Sequence, residues 1–331
     1  MSSTFAARSP LIGTVRAGKR IVAVGLRGHI VYSDDDGKEW KQASVPVSTD
    51  LVAVSFPTPT HGWAVGHGGI VLRTVDGGAT WTKQMDGERL SALAVSYYSK
   101  LQQSNPSPEV KRALEQAQTL ATDGSTRALL DVYFDSETSG FVVGTFNRIY
   151  RTEDGGNTWT PWMERTGNTR ELHFYSIRGE NGRVLLTGEQ GVVWQLDATG
   201  TRFEPIQTPY KGTLFGSVIS GADIFVFGMR GSLFHSADSG RSWDKIKVPS
   251  EAGITGGLAL GPGHILLVNQ AGAVLFTADD GKSFETVMLP HPMAYYGVGD
   301  APDGNIALVG SGGVRVEPLP AADRAAIRGA N

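Results

Sequence analysis

Short apolar runs separated by polar turns recur along almost the whole chain. Runs such as LVAVSF, LLDVYF and LHFYSI are each followed by a polar turn and then by a second apolar run, such as GWAV or GFVV. A tight turn and a third run come next, and a shorter, more polar run such as TWTKQ ends the unit. Runs of this length, bounded by turn residues, predict β-strands, so each unit predicts four short strands.

The residue that ends the second run marks the repeat. Seven such positions occur, at Gly25, Gly66, Gly144, Gly188, Gly228, Asn269 and Gly310. They lie 41, 78, 44, 40, 41 and 41 residues apart, so one interval contains an insertion. Three residues further on, six units have Gly and one has Asn147, which are residue types that adopt positive φ at low cost. Four strands per unit of about 40 residues are typical of a propeller blade. We therefore predict an all-β, seven-bladed β-propeller.

The motif Ser/Thr-x-Asp-x-Gly-x-x-aromatic, called the box below, follows the third run in five units, as in TEDGGNTW (residues 152–159). One active site needs one constellation of residues, whereas this motif occurs five times. We therefore interpret the box as a turn between the third and fourth strands, in which Asp accepts backbone N–H groups and the aromatic side chain fills space beside the next strand. The predicted structural residues are Asp35, Asp76, Asp154, Asp238, Asp279, Trp40, Trp81, Trp159, Trp243 and Phe284. The fourth unit keeps Gly200 and Phe203 but lacks the Asp in register, and the seventh unit has no box.

The last unit supplies only three strands before Pro318 and Pro320. The stretch STFAAR near the N-terminus has no other partner, so we expect an N-terminal strand that closes the last blade. On this interpretation residues 1–320 form a single propeller, and residues 321–331 form a tail with the pattern of a short helix.

Residues 87–127 predict an inserted α-helical hairpin between the second and third blades. Helical spacing is followed by Leu90, Leu93, Ala94, Tyr97 and Leu101, and again by Val110, Leu114, Ala117 and Ala121. Ser107-Pro108-Glu109 is a start signal for the second helix. The hairpin either covers apolar surface on the propeller or serves as a lid or docking element, and both interpretations stay open.

Composition narrows the classes of function. The net charge of −3 does not favour a nucleic-acid partner, and no apolar run is long enough to predict a transmembrane segment. The absence of cysteine excludes disulfides and thiolate chemistry. The seven histidines are scattered, and the box lacks the further acids of a calcium loop, so we expect no metal and no cofactor.

Propeller topology places the turns between second and third strands on one face, together with the connections between blades and the insertion. The boxes belong to the opposite face. The predicted partner-binding residues on the first face are Arg27, His67, Phe146, Arg148, Arg165, Arg170, Glu189, Tyr210, Lys211 and Arg230. Arginine forms bidentate pairs with carboxylates, so this set predicts a protein partner with an acidic segment. The alternative is a set of unrelated, solvated arginines.

The turn and box together, as in VGHGGIVLRTVDGGATW and VGTFNRIYRTEDGGNTW, resemble the photosystem II stability/assembly factor-like propellers, which belong to the Asp-box (BNR) repeat proteins. The resemblance covers residues 11–318 apart from the insertion. It implies a non-enzymatic, protein-binding propeller that acts as an assembly or stability factor, or as a scaffold, for a membrane-associated or exported complex. It also implies a periplasmic or otherwise exported mature chain. Because MSSTFAARSP has no apolar signal region, a cytoplasmic location is the alternative.

Two other functions are alternatives to protein binding. A sialidase-like glycoside hydrolase needs an arginine triad, a Tyr nucleophile with a Glu, and an Asp acid/base. The chain lacks the Phe/Tyr-Arg-Ile-Pro stretch of that family and has seven units, whereas sialidases have six. Glu171 and Glu189 are carboxylates on the predicted functional face, but no spacing marks them as a pair. Binding of a small ligand in the central channel is the other alternative.

Overall fold

The structure is a computed structural model that describes residues 5–122 and 128–319. Blade 1 contains β1 (Leu11–Ala17), β2 (Arg20–Gly25), β3 (Ile30–Ser33) and β4 (Lys41–Gln42). Blade 2 contains β5 (Leu51–Ser55), β6 (Gly62–Gly66), β7 (Val71–Thr74) and β8 (Thr82–Met85). Two helices, α1 (Gly87–Ser104) and α2 (Pro108–Thr122), follow. Blade 3 contains β9 (Leu129–Phe134), β10 (Gly140–Gly144), β11 (Ile149–Thr152) and β12 (Thr160–Pro161).

The remaining four blades complete the ring. Blade 4 contains β13 (Phe174–Glu180), β14 (Arg183–Gly188), β15 (Val192–Leu196) and β16 (Phe203–Gln207). Blade 5 contains β17 (Leu214–Ser220), β18 (Asp223–Gly228), β19 (Leu233–Ser236) and β20 (Asp244–Ile246). Blade 6 contains β21 (Ile254–Gly261), β22 (His264–Asn269), β23 (Val274–Thr277) and β24 (Glu285–Val287). Blade 7 contains β25 (Tyr295–Asp300), β26 (Asn305–Gly310) and β27 (Gly313–Pro318).

Each blade is an antiparallel sheet whose strands lie in chain order from the inside of the ring to the outside. The first strand of each blade contacts the first strand of the next, from β1 through β5, β9, β13, β17 and β21 to β25. Strand β25 contacts β1 in turn, so the seven sheets close into a ring. The all-β class and the seven repeated sheets predicted from the sequence are confirmed.

The second strand of each blade is almost completely buried, as the fully buried GWAVG of β6 illustrates. A sheet inside the ring packs against a neighbouring sheet on each side, so the central strand has no solvent-facing side. Trp63 of blade 2, for example, stacks on Phe134 of blade 3 with ring centroids 3.6 Å apart. This packing explains why the second runs are continuously apolar rather than alternating.

The tight turn after the second strand favours glycine for two reasons, and Gly191 is an example of both. Its φ of 69° is in the left-handed region, and a Cβ atom there would collide with the carbonyl oxygen of Tyr210 in the following connection. Asn147, the one exception to Gly in the seven units, has φ 55°.

The five box turns share one set of hydrogen bonds. In blade 3, the Thr152 hydroxyl donates to Asp154 Oδ1 at 2.9 Å, and the backbone N–H of Thr158 donates to the same oxygen at 2.8 Å. In blade 4, Asp197 lies one position earlier and accepts the backbone N–H of Thr201 at 2.8 Å. Hydrogen bonds from the Ser242 and Ser283 hydroxyls lower the pKa values of Asp238 and Asp279 to about 2.

The N-terminal segment differs from the prediction. Residues Ala6–Arg8 form a 3-10 turn, in which the Arg8 N–H donates to the Phe5 carbonyl at 2.9 Å, so the predicted strand is wrong for these residues. The backbone of Ala7 and Arg8 lies against Gly313, where a Cβ atom would collide with it. In blade 4 the corresponding place beside Gly191 is taken by Tyr210, which follows the fourth strand. The turn Ala6–Arg8 thus occupies the position that a connection between blades occupies elsewhere in the ring. Residues 1–4 and the predicted tail helix lie outside the described residues.

Each inserted helix begins at a capping side chain, and α2 begins at the predicted signal Ser107-Pro108-Glu109. The Asp86 carboxylate accepts the Arg89 N–H at 3.1 Å before α1, and the Ser107 hydroxyl accepts the Val110 N–H at 3.2 Å before α2. Their buried faces are rotated from the predicted ones: α1 buries Tyr98 rather than Tyr97, and Ala121 of α2 is exposed. Contacts with blade 3, described below, cause the rotation.

Candidate binding face

The two ends of the propeller carry different structures. The turn face is defined here by the turns between second and third strands and the connections between blades. Gly87 of α1 lies against Gly69 in the blade 2 turn, and the Gln116 amide of α2 donates to the Phe146 carbonyl in the blade 3 turn at 2.9 Å. The opposite, box face is where the boxes meet the turns between first and second strands, as when the Gly155 N–H donates to the Thr138 carbonyl at 2.8 Å.

Tyr98 fastens the hairpin to blade 3. Its hydroxyl donates to Glu164 Oε2 at 2.6 Å and accepts the Met163 N–H at 2.9 Å. Burial, together with the Glu164 charge, raises the pKa of Tyr98 well above its usual value. The Tyr150 hydroxyl also donates to the Leu90 carbonyl at 3.1 Å. The hairpin therefore shares a core with the propeller and covers its apolar surface.

A buried polar network connects α2 to the connection between blades 3 and 4. Asn147 Nδ2 donates to Gln116 Oε1 at 3.3 Å and to the Met163 carbonyl at 3.1 Å. Asn147 Oδ1 accepts from the Thr166 hydroxyl at 2.8 Å and from the Asn168 amide at 3.2 Å. Asparagine thus combines the left-handed turn conformation with a side chain that joins the hairpin, the turn and the connection.

Most of the predicted cations lie on the turn face but are distributed around the ring. Arg27 and Arg230 are exposed at turn tips with φ values of 57° and 56°. His67 Nδ1 lies 3.7 Å from Asp50 Oδ2, and Asp50 Oδ1 accepts the backbone N–H of Arg27 at 2.8 Å. Arg170 donates to the side chain of Gln190 in the blade 4 turn.

The remaining predicted residues of the turn face fall into two separate groups. Phe146 packs on His173 with ring centroids 4.5 Å apart, and Glu189 accepts the His173 N–H at 2.9 Å. In the connection before blade 5, Lys211 is exposed and the Tyr210 hydroxyl donates to the Met229 carbonyl at 3.2 Å. The structure therefore brings together Phe146 and Glu189, whereas Tyr210 and Lys211 lie beside the next turn.

Arg148 was predicted to contact a partner, and this prediction is wrong because its side chain is 0% exposed. It occupies the first position after the tight turn. The corresponding residues Ile70, Val192 and Val314 are all buried, so this position points inward in several blades. An alignment of the repeats gives only a partial signal, because four of the seven residues at this position are apolar.

Arg165 also differs from its predicted placement. Its guanidinium lies 4.7 Å from the ring centre of Trp162 and pairs with Glu164 at 3.0 Å. It lines a depression together with Arg151 and the box residue Asp154. The side chain therefore packs along the outer edge of blade 3, away from the other predicted residues of the turn face.

The sequence reasoning missed two charged residues in the central channel, Asp131 and Arg178. They belong to the first strands of adjacent blades and form an ion pair. The signal was an interruption of the repeat, since other blades carry small or uncharged residues at these positions.

The carboxylates weighed for catalysis do not share a cleft. Glu171 lines a cleft beneath α2 with Glu109 and Glu164, and Glu189 is not part of that cleft. Within residues 5–122 and 128–319, no three His, Asp or Glu side chains are grouped to hold a metal ion. No helix in the same ranges is long and apolar enough to cross a membrane.

Comparison with known sequences assigns the family. The family model described as Photosynthesis system II assembly factor YCF48 matches residues 34–99 and 111–217, just over half of the chain. The chain therefore belongs to this family. The Photosystem II assembly protein Ycf48 of Synechococcus sp. strain JA-2-3B'a(2-13) is 24% identical over 266 residues, which cover 63% of this chain and 79% of the relative. The Photosystem II assembly lipoprotein Ycf48 of Synechococcus sp. strain CC9902 is 25% identical, over 62% of this chain and 67% of the relative.

Solved structures show the same fold. YCF48 bound to a D1 peptide aligns with a TM-score of 0.70 at 16% identity, over 97% of this chain and 96% of the other. A streptogramin B lyase aligns with the same TM-score at 10% identity, over 95% of each chain. Because enzymes and an assembly factor align about equally well, the fold alone does not separate these functions.

Proposed function

We propose that this protein is a non-enzymatic assembly or stability factor that binds a segment of a membrane-associated or exported protein at its turn face. Membership of the YCF48 family carries the proposal. A solved structure with the same fold is described as YCF48 bound to a D1 peptide, which supports binding of a protein segment by this fold.

The composition of the turn face supports an acidic partner segment. Arg27, Arg170, Lys211 and Arg230 are exposed at different places around this face, which also carries Phe146 and Tyr210. Arginine and aromatic side chains are the usual anchors of protein interfaces. The hairpin forms one wall of the same face, and its core contacts with blade 3 hold it in place as a docking element.

We further propose that the boxes are structural Asp boxes and that the mature chain functions outside the cytoplasm. The five box aspartates are occupied by hydrogen bonds within their own turns, which supports a role in folding. The lipoprotein among the relatives supports an exported or membrane-attached location.

The proposal can be tested by neutralising four exposed cations in the turns and connections of the turn face, with the changes Arg27→Gln, Arg170→Gln, Lys211→Gln and Arg230→Gln. Gln190 occupies the corresponding left-handed turn position in blade 4, so glutamine fits at Arg27 and Arg230. The immobilised variant is compared with wild type for proteins retained from solubilised native membranes and for binding of a D1 peptide by fluorescence anisotropy. We expect at least a tenfold loss of affinity, because charge-assisted hydrogen bonds contribute about 1.5–3 kcal/mol each.

A matched control carries the same charge change on the box face, with Lys19→Gln, Lys38→Gln, Arg241→Gln and Lys282→Gln. All four side chains are exposed. The control is expected to bind like wild type. Equal losses in both variants would indicate a nonspecific charge effect, and full binding by the turn-face variant would overturn the proposal.

A further inference from the structure

A channel runs through the centre of the ring and is lined by the first strands of all seven blades. The half nearer the turn face encloses about 230 Å³ and is lined in part by Tyr175, Phe215 and Tyr296. The half nearer the box face encloses about 410 Å³. Arg178 lines both halves, and its guanidinium donates to Asp131, which lines the half nearer the turn face.

Asp131 and Arg178 interrupt the repeat at the positions that face this channel. The residues that correspond to Asp131 are Gly13, Ala53, Ser176, Gly216, Gly256 and Gly297. Those that correspond to Arg178, two positions further along each strand, are Val15, Ser55, Tyr133, Val218, Leu258 and Gly299. The other five blades have no charge at either position. Folding of a blade therefore does not require the pair.

The pair is held in a defined orientation. Asp131 is 4% exposed, and its carboxylate accepts the N–H groups of Val132 at 2.9 Å and Ile177 at 2.8 Å. Arg178 Nη1 donates to Asp131 and, at 2.7 Å, to the Ile177 carbonyl. The Arg178 side chain is 50% exposed, and Nη1 is its one guanidinium nitrogen with hydrogen-bond partners among the described residues. The edge formed by Nε and Nη2 thus stays available.

The Nε–Nη2 edge of Arg178 is suited to binding a carboxylate. The two parallel N–H groups of that edge match the two oxygens of a carboxylate. Burying a carboxylate such as Asp131 costs several kcal/mol, which its hydrogen bonds and the arginine offset. In return, Asp131 holds Arg178 in one orientation and reduces the entropy lost when a second carboxylate binds.

The walls of the turn-face half suit an apolar ligand body. The rings of Tyr175 and Phe215 lie 5.8 Å apart in an edge-to-face arrangement. Tyr296, from blade 7, is 37% exposed. Aromatic walls with a few fixed polar groups are typical of small-molecule sites.

We propose that the turn-face half of the channel binds a small organic monocarboxylate with an aromatic or apolar body. The ligand carboxylate pairs with the Nε–Nη2 edge of Arg178, and its body lies against Tyr175, Phe215 and Tyr296. Asp131 is a positioning residue that acts through Arg178. This site is separate from the cations proposed to bind a protein partner.

The test uses fluorine NMR titration of the full chain with two probes, 4-fluorophenylacetate and 3-(4-fluorophenyl)propanoate. The neutral amide of the first probe is the matched ligand control. We expect at least one carboxylate to bind tenfold or more tightly than the amide, the difference expected for hydrogen bonds to a charged group. Equal affinity of acid and amide, or no binding of either carboxylate at millimolar concentration, would overturn the proposal.

Variants locate the site. Arg178→Gln is expected to weaken carboxylate binding at least tenfold, and Tyr175→Leu several-fold. Arg230→Gln, which lies on the same face but outside the channel, should leave the affinity for the carboxylate probes unchanged. If Arg178→Gln does not fold because Asp131 loses its partner, the double variant Asp131→Asn with Arg178→Gln removes both charges and carries the same expectation. Unchanged affinity in the folded Arg178 variant would refute the site.

The two proposals fail separately. Loss of the partner segment in Arg230→Gln with intact carboxylate binding would support both sites. Loss of D1 peptide binding in Arg178→Gln, with no binding of small carboxylates, would show that the channel receives the peptide instead and would overturn the small-ligand proposal.

Discussion

At the scale of single residues, the box turns show that the accepting aspartate can lie at more than one position of the unit, provided that its carboxylate contacts the turn N–H groups. Asp154 and Asp197 lie at different positions of their units, yet each accepts the N–H of the residue four positions later. The turn needs a carboxylate oxygen within reach of those N–H groups, and more than one position supplies it. The sequence motif therefore does not identify the corresponding turn of blade 4, whereas the hydrogen bonds of Asp197 do.

Asp154→Ala is expected to destabilise the protein without altering partner binding. The change removes the acceptor of the Thr152 and Thr158 hydroxyls and of the Thr158 N–H, and a lost turn hydrogen bond costs about 1 kcal/mol. Thermal unfolding monitored by circular dichroism measures the effect.

The neighbouring variant Glu153→Ala is the control for that change. The Glu153 side chain is 74% exposed and pairs with Arg151, and surface ion pairs contribute little to stability. Equal melting temperatures for the two variants would contradict a structural role of Asp154.

At the scale of elements, the hairpin shows how tertiary contacts select one face of a helix. The spacing of apolar residues predicts two helices, and it places Tyr97 on the buried side of the first one. Tyr98 is buried because its hydroxyl reaches Glu164 and the Met163 N–H in a connection more than 60 residues away. No local pattern encodes that partner.

Tyr98→Phe is expected to loosen the hairpin. The change leaves the buried Met163 N–H without its acceptor, at a cost of about 1–3 kcal/mol. Hydrogen exchange followed by mass spectrometry should show faster exchange in α1 and α2 than in blades 5 and 6.

Tyr97→Phe provides the comparison for this prediction, since Tyr97 is only partly buried against the core. Its exchange rates should stay near those of wild type. Protection of α1 that is unchanged in Tyr98→Phe would mean that apolar packing alone holds the hairpin.

At the scale of the whole molecule, the ring is closed by contacts between β25 and β1 and by the N-terminal turn. Ala6 is 2% exposed and packs in a cluster with Val31, Val309 and Val314. Residues near the N-terminus thus join the first and last blades. The ring resists opening because the β25–β1 contact and the cluster around Ala6 must be lost together.

Deletion of residues 1–8 is expected to lower the melting temperature by a few degrees, because it exposes the cluster around Ala6 and frees the backbone beside Gly313. Differential scanning calorimetry measures the change. Arg8→Gln, at an exposed side chain of the same turn, should leave the melting temperature unchanged. A deletion variant as stable as wild type would show that the contact between β25 and β1 suffices for closure.

The sequence by itself determined the number of blades, the strand pattern, the tight turns and the existence of two inserted helices. These features depend on contacts between neighbours in the chain, and the pattern that encodes a blade occurs in seven consecutive units. A local preference repeated at a fixed period is visible without coordinates.

Only the tertiary structure decided which side chains meet across blades. Arg148 is buried although its charge suggested exposure, because its position points inward in the ring. Asp131 and Arg178 are 47 positions apart in the chain and become partners only when blades 3 and 4 pack side by side. Such pairs are formed by the closure of the ring, which brings together residues that have no local relation to each other.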